Sequence, residues 1–406
     1  MNKQDEAKEN YLISYQTNIE ISGGDVYIND AKQDLEQKKP LEFAQQATRT
    51  FYSRFLKSHF ENLILLTGAG SSIGIGKNGK TGKTRIELWD SIKKVIGIER
   101  LKKFANRIQI NFPEENDVGD VEEILSKAYI AREFIKPMEG DDPHDGIDLI
   151  ISEIQKQIID DCSLELPDDS PHELILARLT SRKVKLPRVK IFTLNYDTLF
   201  EQAAQKNSHI VIDGFSFSNP RIFNGVNYDY DMVIRENSRI DNEENYVPHV
   251  FHLYKPHGSL NWAESDGRII IDSSTKTPLI IYPKNSKYES SYEQPFFEMI
   301  SRFQQAIRLK NALLIVIGFS FYDKHIKSMI FEAVKANPSF RLLIVNLGIG
   351  ENEYLRDFRE LARTRNNVIL INETFKNFSF NFPYPDTYKN LTLKIKKEDL
   401  EEHLEN

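Results

Sequence analysis

The chain has 406 residues, 40% hydrophobic and 28% charged, with a formal net charge of −7. That length provides for two or three compact units, or one large unit with an elaboration, and the mild acidity excludes the broad basic footprint of a general nucleic-acid binder. A single cysteine, Cys162, excludes both an internal disulfide framework and a multi-cysteine zinc site.

Met1 to Gln16 is polar and lacks the apolar core of a signal peptide. No run reaches the roughly 18 apolar residues of a spanning helix. The expectation is a soluble, cytoplasmic protein without a membrane partner. Residues 1–40 read as an appendage, with a hairpin over Tyr11–Ile28 around Gly23-Gly24-Asp25 that either makes oligomer contacts or docks loosely. Residues 41–385 read as the main domain and 386–406 as a charged tail.

Helical spacing at Phe43, Ala47, Phe51 and Phe55 predicts a helix over Leu41–Phe60. Leu63–Leu66 is a buried strand, and Gly74–Arg85, rich in Gly, Lys and Thr, reads as a mobile loop. Helical patterns then follow at Glu87–Ile108, Val118–Phe134, Ile147–Cys162 and His172–Arg182. So many helices without a strand predict an inserted helical subdomain over about 87–180. Strands return at Val189–Leu194 and His249–Lys255, with shorter ones at Arg268–Asp272 and Leu279–Tyr282. A helix is expected over Asp197–Lys206, and a loop-rich stretch over Ser216–Asn245. Glu293–Leu309 and Ile326–Ala336 are helical; Ala312–Ile317, Leu342–Val345 and Val368–Ile371 have the apolar character of strands covered on both faces. The alternation gives an α/β class: a Rossmann-like, doubly wound parallel sheet with an inserted helical subdomain.

Chemistry-bearing residues cluster at predicted strand ends. Thr67-Gly68-Ala69-Gly70-Ser71-Ser72 follows the first strand, where glycines admit a pyrophosphate or simply make a tight corner. Asn195 and Asp197 alternate about Tyr196 just past a strand. Asparagine is no base, but its amide can hold a ribose hydroxyl or a water in line with a reacting carbon. Asp197 faces the same side or caps the helix after it. His257, beside Gly258, can take a proton from a hydroxyl or water. Gly318 and Ser320 border another turn, with Asp323 as a helix cap, and Asn346 ends a later strand. His249 and His252 have opposite parity along their strand, so a shared metal is disfavoured. Gly82-Lys83-Thr84 resembles the end of a P-loop, but Lys77 stands where that motif needs glycine.

In this order the segments resemble the sirtuin family: Gly68-Ala69-Gly70, Asn195-x-Asp197, His257-Gly258, Gly318-x-Ser320 and a strand ending in Asn346. The resemblance implies NAD bound by a Rossmann-like sheet, with Gly68, Ala69, Gly70, Ser71, Gly318, Ser320 and Asn346 at the cofactor and Asn195, Asp197 and His257 catalytic. The four zinc cysteines of the deacetylating members are absent, as is the Pro-Asp-Phe-Arg stretch after the glycine turn, so no zinc is expected. Asn-Tyr-Asp, Pro-His-Gly-Ser-Leu-Asn-Trp and Gly-Phe-Ser-Phe-Tyr-Asp are more similar to the sirtuin-like effectors of bacterial anti-phage systems. That resemblance implies an NAD⁺ hydrolase acting by abortive infection, a homo-oligomer, and a HerA-type hexameric ATPase as partner. The alternatives are an NAD or ADP-ribose sensor without turnover, or an NAD-dependent protein deacylase.

Overall fold

The computed structural model describes residues 9–55, 60–113, 119–134, 146–234, 245–281 and 294–383. The tail expected over 386–406 lies outside them. Four short strands come first: β1 (Glu9–Ser14), β2 (Asn18–Ser22), β3 (Asp25–Ile28) and β4 (Ala31–Lys32). Helix α1 (Pro40–Phe55) leads into β5 (Asn62–Thr67), and among the described residues five α-helices then precede the next strand. They are α2 (Arg85–Ile96), α3 (Ile98–Arg107), α4 (Val121–Phe134), α5 (Ile147–Cys162) and α6 (Pro171–Thr180). After β6 (Val189–Thr193) come α7 (Leu199–Lys206), β7 (Ile210–Ile212), β8 (Val250–Tyr254), and the hairpin of β9 (Trp262–Ser265) and β10 (Arg268–Ile271). The chain continues with α8 (Phe296–Arg308), β11 (Ala312–Ile317), α9 (Lys324–Ala336) and β12 (Arg341–Val345). It finishes with α10 (Arg356–Thr364), β13 (Val368–Ile371) and α11 (Phe375–Asn381).

Strands order as β4-β3-β2-β1-β13-β12-β11-β5-β6-β8-β7 in one sheet. From β13 to β7 every pairing is parallel, and β1 to β4 extend the β13 edge antiparallel. The period-two alternation of β11 sends Ala312, Leu314 and Val316 into one core and Leu313, Ile315 and Ile317 into the other. Helices α8, α9 and α10 cover the first face; α1, α6, α7 and α11 cover the second. An uninterrupted apolar run is what a strand buried on both faces requires, and the α/β, doubly wound class read from the sequence is the class observed. The chain passes from β5 to β6 on one side and returns with β11 on the other, so the carboxyl ends of β5 and β11 flank the reversal of strand order, where open α/β sheets bind ligands.

Helices α2 to α5 pack around a separate core of Trp89, Ile92, Phe104, Leu125, Ile151 and Ile158. Helix α6, within the range expected for the insertion, instead buries Ile175, Leu176 and Leu179 against the sheet. The pattern over Glu87–Ile108 is two helices, because Gly97 takes φ +88° and breaks it. Leu279–Ile281 forms only an isolated bridge, Ile280 to Gly258, where a strand is expected, and Tyr282 lies outside the described residues. The first strands are anchored in the core: Tyr11 and Tyr52 donate hydroxyl hydrogen bonds to the buried Glu373 carboxylate at 2.7 and 3.2 Å, and Asn381 adds an amide at 3.0 Å. Burial of that carboxylate raises its pKa, against the lowering effect of these donors.

Three imidazoles are held neutral by burial: His172, pushed down to about 3, and His209 and His252, each to about 4. Unfolded imidazoles titrate near ~6.5. Between that value and the folded ones the unfolded chain binds protons that the folded chain refuses, so these groups lower stability as pH falls from about 6.5. The raised carboxyls of Glu201 and Glu373 act in the opposite sense, so the effect is isolated by comparison. Urea unfolding of wild type and His172→Phe should show wild type losing stability relative to the variant as pH drops from about 7 to 5. A difference that stays constant with pH would refute this account of His172.

Candidate active site

The turn after β5 is shaped by the turn after β11. Gly68 donates its amide to the Ile317 carbonyl at 3.0 Å, and Gly70 to the Gly318 carbonyl at 2.9 Å. A Cβ on Gly70 would lie 2.6 Å from the Gly318 Cα, and one on Gly318, at φ +60°, would lie 2.6 Å from the Gly70 Cα. Backbone therefore meets backbone, and both positions require glycine. Ser71 and Ser72 close a 3₁₀ turn by donating their amides to the Gly68 and Ala69 carbonyls. The glycines expected to admit a pyrophosphate thus first serve to bring two strand-end loops together.

Asn195, half-buried just past β6, is held against this turn. Its side-chain nitrogen lies 3.1 Å from the Gly68 carbonyl, 3.1 Å from Ser71 Oγ and 2.8 Å from Ser72 Oγ. The reversed amide would set an oxygen against the Gly68 carbonyl, so the network fixes the orientation. Among the described residues the Asn195 side-chain oxygen accepts no hydrogen bond. It is an oriented acceptor at the carboxyl edge of the sheet.

Asp197 is buried and engaged at both oxygens. Ser72 Oγ donates to Oδ2 at 2.6 Å, and the Leu199 amide donates to Oδ1 at 3.1 Å. Asp197 thus faces the glycine turn beside Asn195 and also accepts from the first amide of α7, while the N-cap position itself is Thr198. Ser72 is the shared link, accepting from Asn195 and donating to Asp197.

His257 follows β8, the strand next to β6. Its Nε2 lies 3.6 Å from Asp323 Oδ2, and the two side chains are 12% and 14% exposed. Burial pushes the Asp323 carboxyl up, but His257 and the amides of Ile326 and His325 more than offset this and hold it below the usual carboxylate range. The His257 loop is joined to the Asn195 loop through Tyr196, whose carbonyl accepts from the Leu260 amide at 3.1 Å and whose hydroxyl donates to the Ile281 carbonyl at 2.7 Å. Ile281 in turn donates its amide to the His257 carbonyl at 2.8 Å. Tyr196 also packs against the core of the inserted helices.

Lys255 carries no assigned role in the sequence reading, yet it ties these loops together. Only 2% of its side chain is exposed, and its ammonium donates to the Tyr196 and Asp197 carbonyls, to Ser259 Oγ at 2.7 Å and to Glu201 of α7 at 3.0 Å. Burial raises the Glu201 carboxyl and Lys255 pulls it back. Lysine beside an invisible tertiary partner looks like any surface cation, so only the Lys255-Pro256-His257-Gly258 spacing marks it in the sequence.

The remaining predicted residues divide. Asn346 donates its amide to the Phe319 carbonyl at 2.8 Å and accepts from the Leu347 amide, tethering the Gly318 loop. Ser71 is buried within the glycine turn, while Ala69 and Ser320 are exposed. Tyr322 reaches the insertion through a 2.9 Å hydrogen bond to Asp120, with the Arg85 guanidinium 5.5 Å above its ring. The Gly74–Arg85 loop is tied to helix α5 by Lys80 on Asp160 at 3.0 Å and Lys83 on the buried Asp161 at 2.6 Å. A shallow hollow lined by Thr180, Arg182, Arg188 and His249 lies at the opposite, amino end of β6 and β8, and none of the predicted site residues lines it.

Among the described residues no cluster of three or more His, Cys, Asp or Glu side chains is arranged to hold a metal. No described helix is long and apolar enough to cross a membrane.

Replacing Lys255 by Met leaves Glu201 and two backbone carbonyls without their cation. Because Glu201 keeps some exposure, the expected loss is about 2 kcal/mol or more, short of the ~3–5 kcal/mol of a fully enclosed pair. The double variant K255M/E201L should recover part of it. Denaturant midpoints test this; a K255M midpoint equal to wild type would remove the role given to Lys255.

No curated protein matches the chain. Residues 189–347, which span Asn195, Asp197, Lys255, His257, Gly318, Asp323 and Asn346 but not the glycine turn, match the family described as a SIR2-like domain.

Proposed function

We propose that the protein hydrolyses NAD⁺ to nicotinamide and ADP-ribose. The observation that carries this reading is the Asn195 side chain: its nitrogen is fixed by Gly68, Ser71 and Ser72, and its oxygen accepts nothing among the described residues. It stands beside the reversal point of a doubly wound sheet, within a segment that matches a family whose domains use NAD.

Cleavage of the bond from ribose to cationic nicotinamide passes through an oxocarbenium-like state, so acceleration comes mainly from positioning and electrostatics. Asn195 Oδ1 accepts from a ribose hydroxyl or from the attacking water and aims that oxygen at the anomeric carbon. His257 takes the proton. Asp197 holds Ser72 and the start of α7 in place and lends negative potential near the nicotinamide end. The turns at Gly68–Ser71 and Gly318–Ser320, fixed by Asn346, border the rest of the dinucleotide. Hydrolysis needs no acyl acceptor, which separates it from deacylation, and it needs no zinc.

The motif resemblance supports a wider role: an anti-phage effector that depletes cellular NAD as a homo-oligomer, held off or triggered through a HerA-type hexameric ATPase. An NAD sensor without turnover is the rival reading. Purified protein, alone and with the ATPase, is incubated with NAD⁺ and free nicotinamide is quantified. Release without any acyl peptide is expected, and Asn195→Ala and His257→Ala should each lower it by about 10²-fold or more. NAD⁺ bound but intact under every condition would favour the sensor, and folded variants as active as wild type would remove the assigned roles.

A further inference from the structure

The sequence gives Asp323 the role of a helix cap, and it has one: Oδ1 accepts from the His325 amide at 2.8 Å and the Ile326 amide at 3.2 Å at the start of α9. Capping explains only half of the side chain. The other oxygen, Oδ2, faces Nε2 of His257 at 3.6 Å across two loops that are far apart in sequence, in a place with little solvent to screen the pair. A cap needs an acceptor, and Asn or Ser caps as well as Asp. A full negative charge directed at an imidazole is an additional property.

The loop that delivers this charge is held under strain. Phe321, two residues before Asp323, takes φ +60°, a left-handed conformation that is costly for a bulky side chain. Burial against Phe319 and Phe358, with ring centres 4.8 and 4.9 Å away, holds it there. Gly318 packed on Gly70 and Asn346 bonded to the Phe319 carbonyl fix the same loop from its other end. Backbone strain retained this way clusters at functional sites.

We propose that Asp323 is a positioning residue for His257: its carboxylate sets the orientation and tautomer of the ring, with the proton on Nε2, and stabilises the imidazolium formed when the ring accepts a proton. The pair at 3.6 Å is longer than a formed hydrogen bond, and such pairs commonly tighten when substrate binds. The inference rests on reading His257 as the base. In the hydrolysis, a water proton passes to the imidazole while the water oxygen bonds to the anomeric ribose carbon. The carbon–nitrogen bond breaks, its electron pair neutralises the nicotinamide ring, and the imidazolium later returns the proton to solvent. Asp323 stays ionised throughout. Lys255, two residues before His257, is the other charged group of that loop, and it is directed at the Tyr196 and Asp197 carbonyls and Glu201 instead.

The test uses Asp323→Asn, which keeps the cap and removes the charge. The full chain, with ¹⁵N-labelled histidine, is followed by long-range ¹H–¹⁵N spectra, and His257 is assigned from the spectrum of His257→Gln. Wild type should show His257 as the Nε2–H tautomer, with the variant mixed between tautomers and titrating lower by about one pH unit or more. Identical His257 tautomer and midpoint in the two proteins would overturn the proposal. Where nicotinamide release is measurable, D323N should lower kcat while KM stays within about twofold, the mark of a group that acts in the transition state; an unchanged kcat would also overturn it. Because the spectra require no turnover, a changed His257 ring in a protein that never cleaves NAD⁺ would sustain the pairing and sink the hydrolase reading alone.

Discussion

The arrangement of this molecule depends on the contact of two glycine backbones, Gly70 and Gly318. It occurs where the strand order reverses, so it sets how closely the loops after β5 and β11 approach. Everything at the candidate site is referred to that contact. Asn195 is bonded to one of these loops and Asp323 belongs to the other, so the amide and the imidazole's partner are fixed relative to each other through the glycines. A side chain at either position would separate the loops by more than the hydrogen bonds can span.

A second constraint is electrostatic. Several backbone carbonyls and two carboxylates converge between β6, α7 and β8, and buried acceptors need donors. Lys255 supplies a cation to the Tyr196 and Asp197 carbonyls and to Glu201, while Ser72 and the Leu199 amide serve the Asp197 carboxylate. The helical insertion bears on the same region from outside, through Tyr196 packed on its core and Tyr322 bonded to Asp120. These contacts give the insertion a direct mechanical connection to the strand-end loops.

Much of the fold was legible in the amino-acid pattern. β11 and the strands beside it are apolar on both faces, and the helices between them carry clear periodicity, so class and order followed. Short edge elements were harder: β7 has only three residues, and β1 to β4 show weak alternation until the β13 edge is there to pair with them. At the site, Asn195 and the glycine turn could be brought together by the rule that parallel strands end at one edge. The bonding of Asn195 and of the Asp197 Oδ2 to Ser72, and the Asp323–His257 pair, could not, because each joins loops separated by more than sixty residues and leaves no spacing signal. Asn346 illustrates the same limit. Its place at a strand end was readable, whereas its bond to the Phe319 carbonyl depends on how the next loop folds.

In the proposed reaction the Asn195 amide and the His257 imidazole face one nicotinamide riboside at the reversal point of the sheet. A crystal structure of the His257→Ala protein soaked with NAD⁺ tests it most directly. The account predicts the nicotinamide ribose within hydrogen-bond reach of Asn195 Oδ1, with the vacated imidazole position adjoining its anomeric carbon. Dinucleotide bound with its nicotinamide end away from Asn195, or bound at another edge of the sheet, would contradict it.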